Sequence, residues 1–374
     1  MENLRGNIFI DGSFVPAEVI YENGLIFKIN ELSESDLDAA HREDYIIPGL
    51  VDIHLHGCVG VDFSDYGLGG TCDILEKMVR YERSVGVTTI VPTIMTLPNE
   101  TLKLIMKAAA DYDDIFGAVC AIRLEGPFLC TSKRGAQNPE YIRLPDVREF
   151  NELNELAGGL VKIVDVAPEV FGAIDFIKEI SKGDGKGSNI TCSIAHTDAD
   201  YETALLAIKS GANHVTHLYN AMNPFLKRDP GVIGAAFDAK ETFVELICDG
   251  IHVYPPVIRA TFEMFKAERV VLISDSLPAA GMPDGEYFLG GQKIIKRGSL
   301  ATLTDGTIAG SAANLFDCLR AAVSMGIPKE DAILSATLTP ARSIGIDDFA
   351  GSIEVGKQAK FVICDKDLNR KRVI

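Results

Sequence analysis

No apolar run in this 374-residue chain is long enough to span a bilayer. The N-terminus, "MENLRGNIFIDG", lacks the long apolar stretch of a secretory signal. Eight cysteines are present, but none forms a C-x-x-C pair and no short disulfide framework can be drawn from their spacing. That scatter is expected of a chain kept in a reducing cytoplasm. The repeat periods of about 20–50 residues that mark solenoids and propellers are absent. Positive charge is also short. Lys and Arg number 36 against 53 Asp and Glu, a formal net charge of -17. Such a chain has no general attraction for nucleic acid or an anionic membrane. An anionic small molecule would need a local cluster of donors. Histidine is scarce too, at seven residues, so where the histidines fall carries information.

What is present is a large apolar fraction, 47% of the chain. It suits one large domain and a smaller one. The first 47 residues read as short β segments. "NIFIDGSFV" and "VIYENGLIFKI" each carry turn residues, Asp11-Gly12 and Asn23-Gly24, between β-formers. After Pro48 short apolar strands alternate with helical stretches. The strands are "LVDIHL", "TTIVPTI", "GAVCAIRLE", "VKIVDVA", "NITCSIAH", "NHVTH", "FVELICD" and "RVVLISD". Nearly continuous apolar strands belong to a parallel sheet covered on both faces. Eight β-α units predict an α/β fold of the (β/α)8 TIM-barrel type. Residues 285–310 read as an inserted β hairpin or two, and the tail returns to β character. The expected division is a β-sandwich module from residues 1–48 and 346–374, packed beside a barrel over 49–345.

The polar residues sit at the strand ends. "PGLVDIHLHG" places His54 and His56 at the end of strand one, and strand alternation points both rings to one side. Glu125 ends strand three in "RLEGPF", His196 strand five in "SIAHT" and His217 strand six in "VTHLYNAM". Strand seven ends in Asp249, followed by His252, and strand eight ends in Asp275 in "LISDS". Strand C-termini converge on one face of a barrel, where catalytic groups lie. Imidazole with carboxylate is the ligand set of a divalent transition metal. Asp275 can bind metal, accept a proton from water, or do both. Asp249 is equally readable as a turn residue. A lone histidine at a strand end is more often a hydrogen-bonded core residue. His214 is read as structural, facing away from His217, and His41 as solvated. The joint occurrence at successive strand ends is what favours a metal site.

"PGLVDIHLHG", "LEGPF", "AHT", "THLYNAM", "DGIHV", "SDS" and "GTIAGSA" follow one another in this chain. In that order they resemble the N-acetylglucosamine-6-phosphate deacetylase family of the amidohydrolase superfamily, over nearly the whole length. H-x-H alone marks only the superfamily, whereas "LEGPF" with "HLYNAM" is more specific. The resemblance implies metal-dependent hydrolysis of an acetamide on a phosphosugar. It implies Glu125, His196 and His217 as main metal ligands and Asp275 as acid/base. It implies sugar contacts at Asn220, Ala221 and His252, with Ala136 and Gln137 near the scissile acetyl and Ile308, Ala309 and Gly310 lining the pocket. Arg228, in "FLKRDPG", matches an arginine that reaches the phosphate from the neighbouring subunit of a homodimer.

Two departures stand out. Both first-strand histidines are kept, which makes a second divalent ion plausible, and Gln137 stands where a histidine is common. Strand four ends without a lysine to bridge two ions, so Glu125 would take that place. Zinc, iron, cobalt and manganese all suit the donors. Two other readings are open: an amidohydrolase for a different N-acetyl sugar or cyclic amide, and a non-catalytic relative.

Overall fold

The computed structural model describes residues 1–38, 41–182 and 190–374. Eight parallel strands form one sheet: Leu50–Leu55, Val87–Ile94, Ile122–Phe128, Val161–Val166, Thr191–Ile194, Ala212–Val215, Phe243–Ile247 and Val270–Ile273. The expected beginning of the fifth at Asn189 lies outside the described residues. Strand eight closes on strand one. His56 N donates to Ser276 O at 2.7 Å and Asp275 N to His54 O at 2.9 Å. The result is the expected barrel.

The strands are apolar on both sides because both sides are covered. Outward residues such as Ile90, Leu124, Val164, Leu246 and Leu272 pack with helix residues such as Met78, Leu102, Phe176 and Ile258. Inward residues Val51, Ile53, Val91, Ile163, Ile247, Val271 and Ile273 form a second cluster.

The helices expected between strands are present, and Gly231–Asp238 adds one that no amphipathic pattern announced. It reads "GVIGAAFD" and is buried on nearly every side, so it carries no polar stripe. Ala173–Ile180 and Val147–Leu156 are short, and the latter begins at Asp146, whose carboxylate accepts from Arg148 N and Glu149 N. The stretch "PKEDAILSATLTPARSIG" forms two helices, Lys329–Ala336 and Leu338–Ser343. Pro340 has no N–H to continue the ladder.

Both chain ends meet in a six-stranded sheet. Its strands are Glu2–Ile10, Ser13–Glu22, Leu25–Glu31 and Tyr45–Pro48 from the N-terminal side, with Phe361–Cys364 and Arg370–Val373 from the C-terminal side. The tail is tied in because Phe361–Cys364 pairs directly with Tyr45–Pro48. The insertion is a four-stranded antiparallel sheet over Gly285–Ser311. Its last strand, Ile308–Ser311, adds to the end of barrel strand eight through Ser311 N to Asp275 O at 2.8 Å. That bond sets Ile308, Ala309 and Gly310 at the mouth.

Candidate active site

His54 and His56 reach the barrel mouth through an irregular strand end. Register shifts between Asp52 and Leu55, so Ile53 joins the inner apolar cluster while His54 also turns inward. His196, His217 and Asp275 follow the last paired residues of their strands with left-handed backbone, at φ 42°, 28° and 47°. That turn, rather than simple alternation, aims their side chains. His214, three residues before His217, is also inward. Its Nδ1 lies 3.3 Å from Ser193 Oγ and 3.6 Å from Glu245 Oε1, deep in the barrel. It is structural as expected, but it does not face away from the barrel interior. His41 is partly exposed and bonded to Asp38 at 2.8 Å.

The ligand atoms converge in two groups: Glu125 with His196 and His217, and His54 with His56 and Asp275. Glu125 Oε1 lies 3.1 Å from His196 Nε2, 3.1 Å from His217 Nε2 and 3.4 Å from His54 Nε2. Its other oxygen lies 3.2 Å from His56 Nε2. One carboxylate therefore touches both groups. Asp275 Oδ1 is 3.3 Å from His56 Nε2 and 3.5 Å from His54 Nε2. All six residues are buried.

Burial opposes charge throughout this cluster, yet mutual attraction wins. Burial and Arg123 work against a charge on His54, but Asp275, Glu125 and Glu245 hold its pKa well above the usual imidazole range. His56 is pushed to about 9: burial opposes this, and Asp275 and Glu125 outweigh it. Burial acts to raise Glu125 and Asp275, but the histidines, His54 foremost by charge, pull both below the ordinary carboxylate range. The same attraction favours protons on His54, His56 and His196, which a bound cation would displace.

The donors fit such a cation. His54 Nε2 is fully buried and has no hydrogen-bond partner among the described residues. His196 Nε2 and His217 Nε2 face one another at 3.1 Å, with the same Glu125 oxygen as their shared neighbour. Two imidazole lone pairs and a carboxylate aimed at one point suit a divalent metal.

A cavity of about 250 Å³ opens above the ligands. Its walls bring together His56, Glu125, His196, His217 and Asp275 with the expected Ala136, Gln137, Asn220, Ala221, His252, Ile308, Ala309 and Gly310. His252 is steadied by Asp249, whose carboxylate accepts from its Nδ1 at 2.7 Å. Arg228 is not among these walls; it is exposed on the loop that precedes Gly231–Asp238. Gln137 is already engaged. Its Oε1 accepts from Thr96 N at 2.7 Å and its Nε2 donates to Glu125 Oε2 at 2.6 Å.

Sequence reasoning missed Met95, Gly135 and Thr307 on the walls. It also missed the charged group behind the ligands. Arg123 is fully buried and donates to Asp165 at 2.9 and 3.0 Å, to Glu245, and to Thr216 Oγ1 at 2.9 Å. The signal was available: Arg123 in "AIRLE", Asp165 in "VKIVDVA" and Glu245 in "FVELICD" are charged residues in the middle of largely apolar strands.

A closed barrel with a split terminal sheet and a mixed His-carboxylate cluster at the strand C-termini defines a class of metal-dependent hydrolase. Residues 45–374 match the amidohydrolase family, and the chain belongs to it. It is 38% identical to N-acetylglucosamine-6-phosphate deacetylase of Bacillus subtilis, covering 88% of this chain and 82% of the relative. It is 32% identical to N-acetylgalactosamine-6-phosphate deacetylase of Escherichia coli O157:H7, over 88% and 86%. A mutant N-acetyl-D-glucosamine-6-phosphate deacetylase from Mycobacterium smegmatis, solved with N-acetyl-D-glucosamine-6-phosphate, superposes with a TM-score of 0.91 at 31% identity. That match covers 100% of this chain and 97% of the other.

Proposed function

We propose that this chain hydrolyses the acetamide of N-acetyl-D-glucosamine 6-phosphate, giving D-glucosamine 6-phosphate and acetate. The observation that carries the reading is Glu125 shared between two ligand groups, with Asp275 in reach of one of them at the floor of a sugar-sized cavity. A divalent metal held there would lower the pKa of a water and polarise a carbonyl. Asp275, ionised and held below the ordinary carboxylate range, is placed to accept a proton from the attacking water and return it to the leaving nitrogen. The amine then leaves neutral, and the acyl group departs as acetic acid, which gives its remaining proton to solvent and ends as acetate.

Glu125, His196 and His217 would hold one ion, and His54 and His56 would hold a second, with Glu125 within reach of both groups. Ala136, Asn220, Ala221, His252 and Ile308 to Gly310 surround the sugar. Gln137 holds Glu125 in place and borders the acetyl group. Arg228 serves the phosphate of the neighbouring active site in a homodimer. Its exposure on one chain supports that reading, and so does the need for a local cation in a chain of net charge -17. The work is cytoplasmic, in keeping with eight free cysteines. A division into a terminal β module of 1–48 and 346–374 and a barrel of 49–345 is part of the same reading, supported by the distinct six-stranded and eight-stranded sheets.

The galactosamine relative favours one second reading, the C4 epimer as substrate. Acetate release from both phosphosugars and from unphosphorylated N-acetylglucosamine, with elemental analysis of the same sample, tests all of this. Faster turnover of the unphosphorylated sugar would sink the assignment. Metal content should fall from about two ions to about one in the double variant His54→Gln, His56→Asn, with activity reduced but not abolished.

A further inference from the structure

We infer that Glu245 is a positioning residue that ties the two ligand groups together and turns His54 to face the metal. Glu245 lies in barrel strand seven and is fully buried. One oxygen, Oε2, accepts from His54 Nδ1 at 3.0 Å and from the main-chain N of His217 at 3.1 Å. His54 belongs to one ligand group and His217 to the other. A single carboxylate oxygen thus joins the side chain of strand one to the backbone that turns His217 inward.

The other oxygen is gripped by Arg123. Arg123 is anchored in turn by Asp165 and by Ile53 O at 3.3 Å, so Glu245 cannot swing away from His54. The remaining ligand histidines are held differently. His56 offers Nδ1 to Thr93 O at 3.2 Å and His196 to Lys133 O at 2.9 Å, both neutral carbonyls. His217 Nδ1 has no hydrogen-bond partner. Among the described residues, His54 is the ligand histidine whose Nδ1 rests on a carboxylate.

An ionised carboxylate only accepts, so it requires a proton on Nδ1 of His54. Once a cation displaces the second proton, the lone pair is exposed on Nε2, which lies buried between Glu125 and Asp275. The negative charge behind the ring also makes it a better donor to a cation. An ordinary core ion pair would serve Arg123 equally well but would not select which ring nitrogen of His54 is bare. The inference uses the two-ion reading only for its metal measurements.

The test joins nuclear magnetic resonance on protein with 15N-labelled histidine to calorimetric zinc titration. In the zinc-free unmutated protein the Nδ1 proton of His54 should appear far downfield, and Glu245→Gln should shift or remove it. Glu245→Gln should weaken the weaker zinc site by about ten- to a hundredfold and leave the tighter one nearly unchanged. A His54 proton found on Nε2 alone in the unmutated protein overturns the inference. So does a variant that loses thermal stability while binding both ions as before. If Glu245→Gln does not fold, Glu245→Asp, with its carboxylate drawn back, is read in the same way, and the proton position in the unmutated protein decides without a variant. If the unmutated protein takes up one ion only, the two-ion reading fails, while the His54 proton still decides the role of Glu245.

Discussion

His56 Nε2 and Asp275 Oδ1 lie 3.3 Å apart across the seam at which barrel strand one meets strand eight. The seam is held by main-chain bonds on either side, so the aspartate is fixed against a ligand histidine while it still borders the cavity. It is placed to move a proton without leaving its post. Asp275→Asn should retain substrate binding and lose about a hundredfold or more of kcat, since an amide cannot carry the proton. Steady-state kinetics with a parallel binding measurement check this, and near-normal turnover would remove Asp275 from the chemistry.

Gln137 has both ends of its amide occupied, by Thr96 N and by Glu125 Oε2. Gln137→Leu leaves the buried Thr96 N–H without its acceptor and takes one of two neighbouring donors from Glu125 Oε2, a loss of about 1–3 kcal/mol. Thermal unfolding should register that loss in metal-free protein. A variant with unchanged stability and only a raised KM would make Gln137 a substrate contact and nothing more.

Arg228 is exposed in the single chain and borders no wall of its own cavity. Arg228→Ala should raise KM for the phosphosugar strongly and leave weak turnover of the unphosphorylated sugar almost unaltered. Equal losses on both substrates would trace to folding or assembly instead.

His214 gives a pH signature. Burial foremost, with help from the positive charges of Arg123 and His54, lowers its pKa from 6.5 to about 4, against the pull of Glu245. The unfolded chain therefore binds this proton first as pH falls. The stability His214 contributes is complete above about pH 6.5 and is lost on the way down to about 4, a change on the order of 3 kcal/mol. Denaturant unfolding of the unmutated chain and of His214→Gln across that window should differ by this slope. Parallel pH profiles would refute it.

The barrel and the histidines and carboxylates that converge at its mouth were legible because each leaves a one-dimensional trace. Buried strands are apolar runs, and these polar residues stand where the runs end. The charged group of Arg123, Asp165 and Glu245 was not read, although one charged residue in an apolar run is visible, because reading it requires knowing which strands face across the barrel. The helix Gly231–Asp238 was missed because burial on nearly all sides erases periodicity. Gln137 was placed near the acetyl group by resemblance, and its bonds to Thr96 and Glu125 are tertiary facts with no local signature.

The left-handed backbone at His196, His217 and Asp275 has a consequence for anyone who would transplant this centre. Residues with side chains enter that region at a cost of order 1–3 kcal/mol each, so a regular barrel built from relaxed strands would decline to adopt it. Copying the side-chain identities onto such a scaffold would leave the imidazoles and the aspartate standing off the sheet on whichever face strand alternation dictates, instead of converging on a common point. The portable unit is therefore the strand end with its following turn, and a graft should be judged first by those three φ angles and only then by its residues.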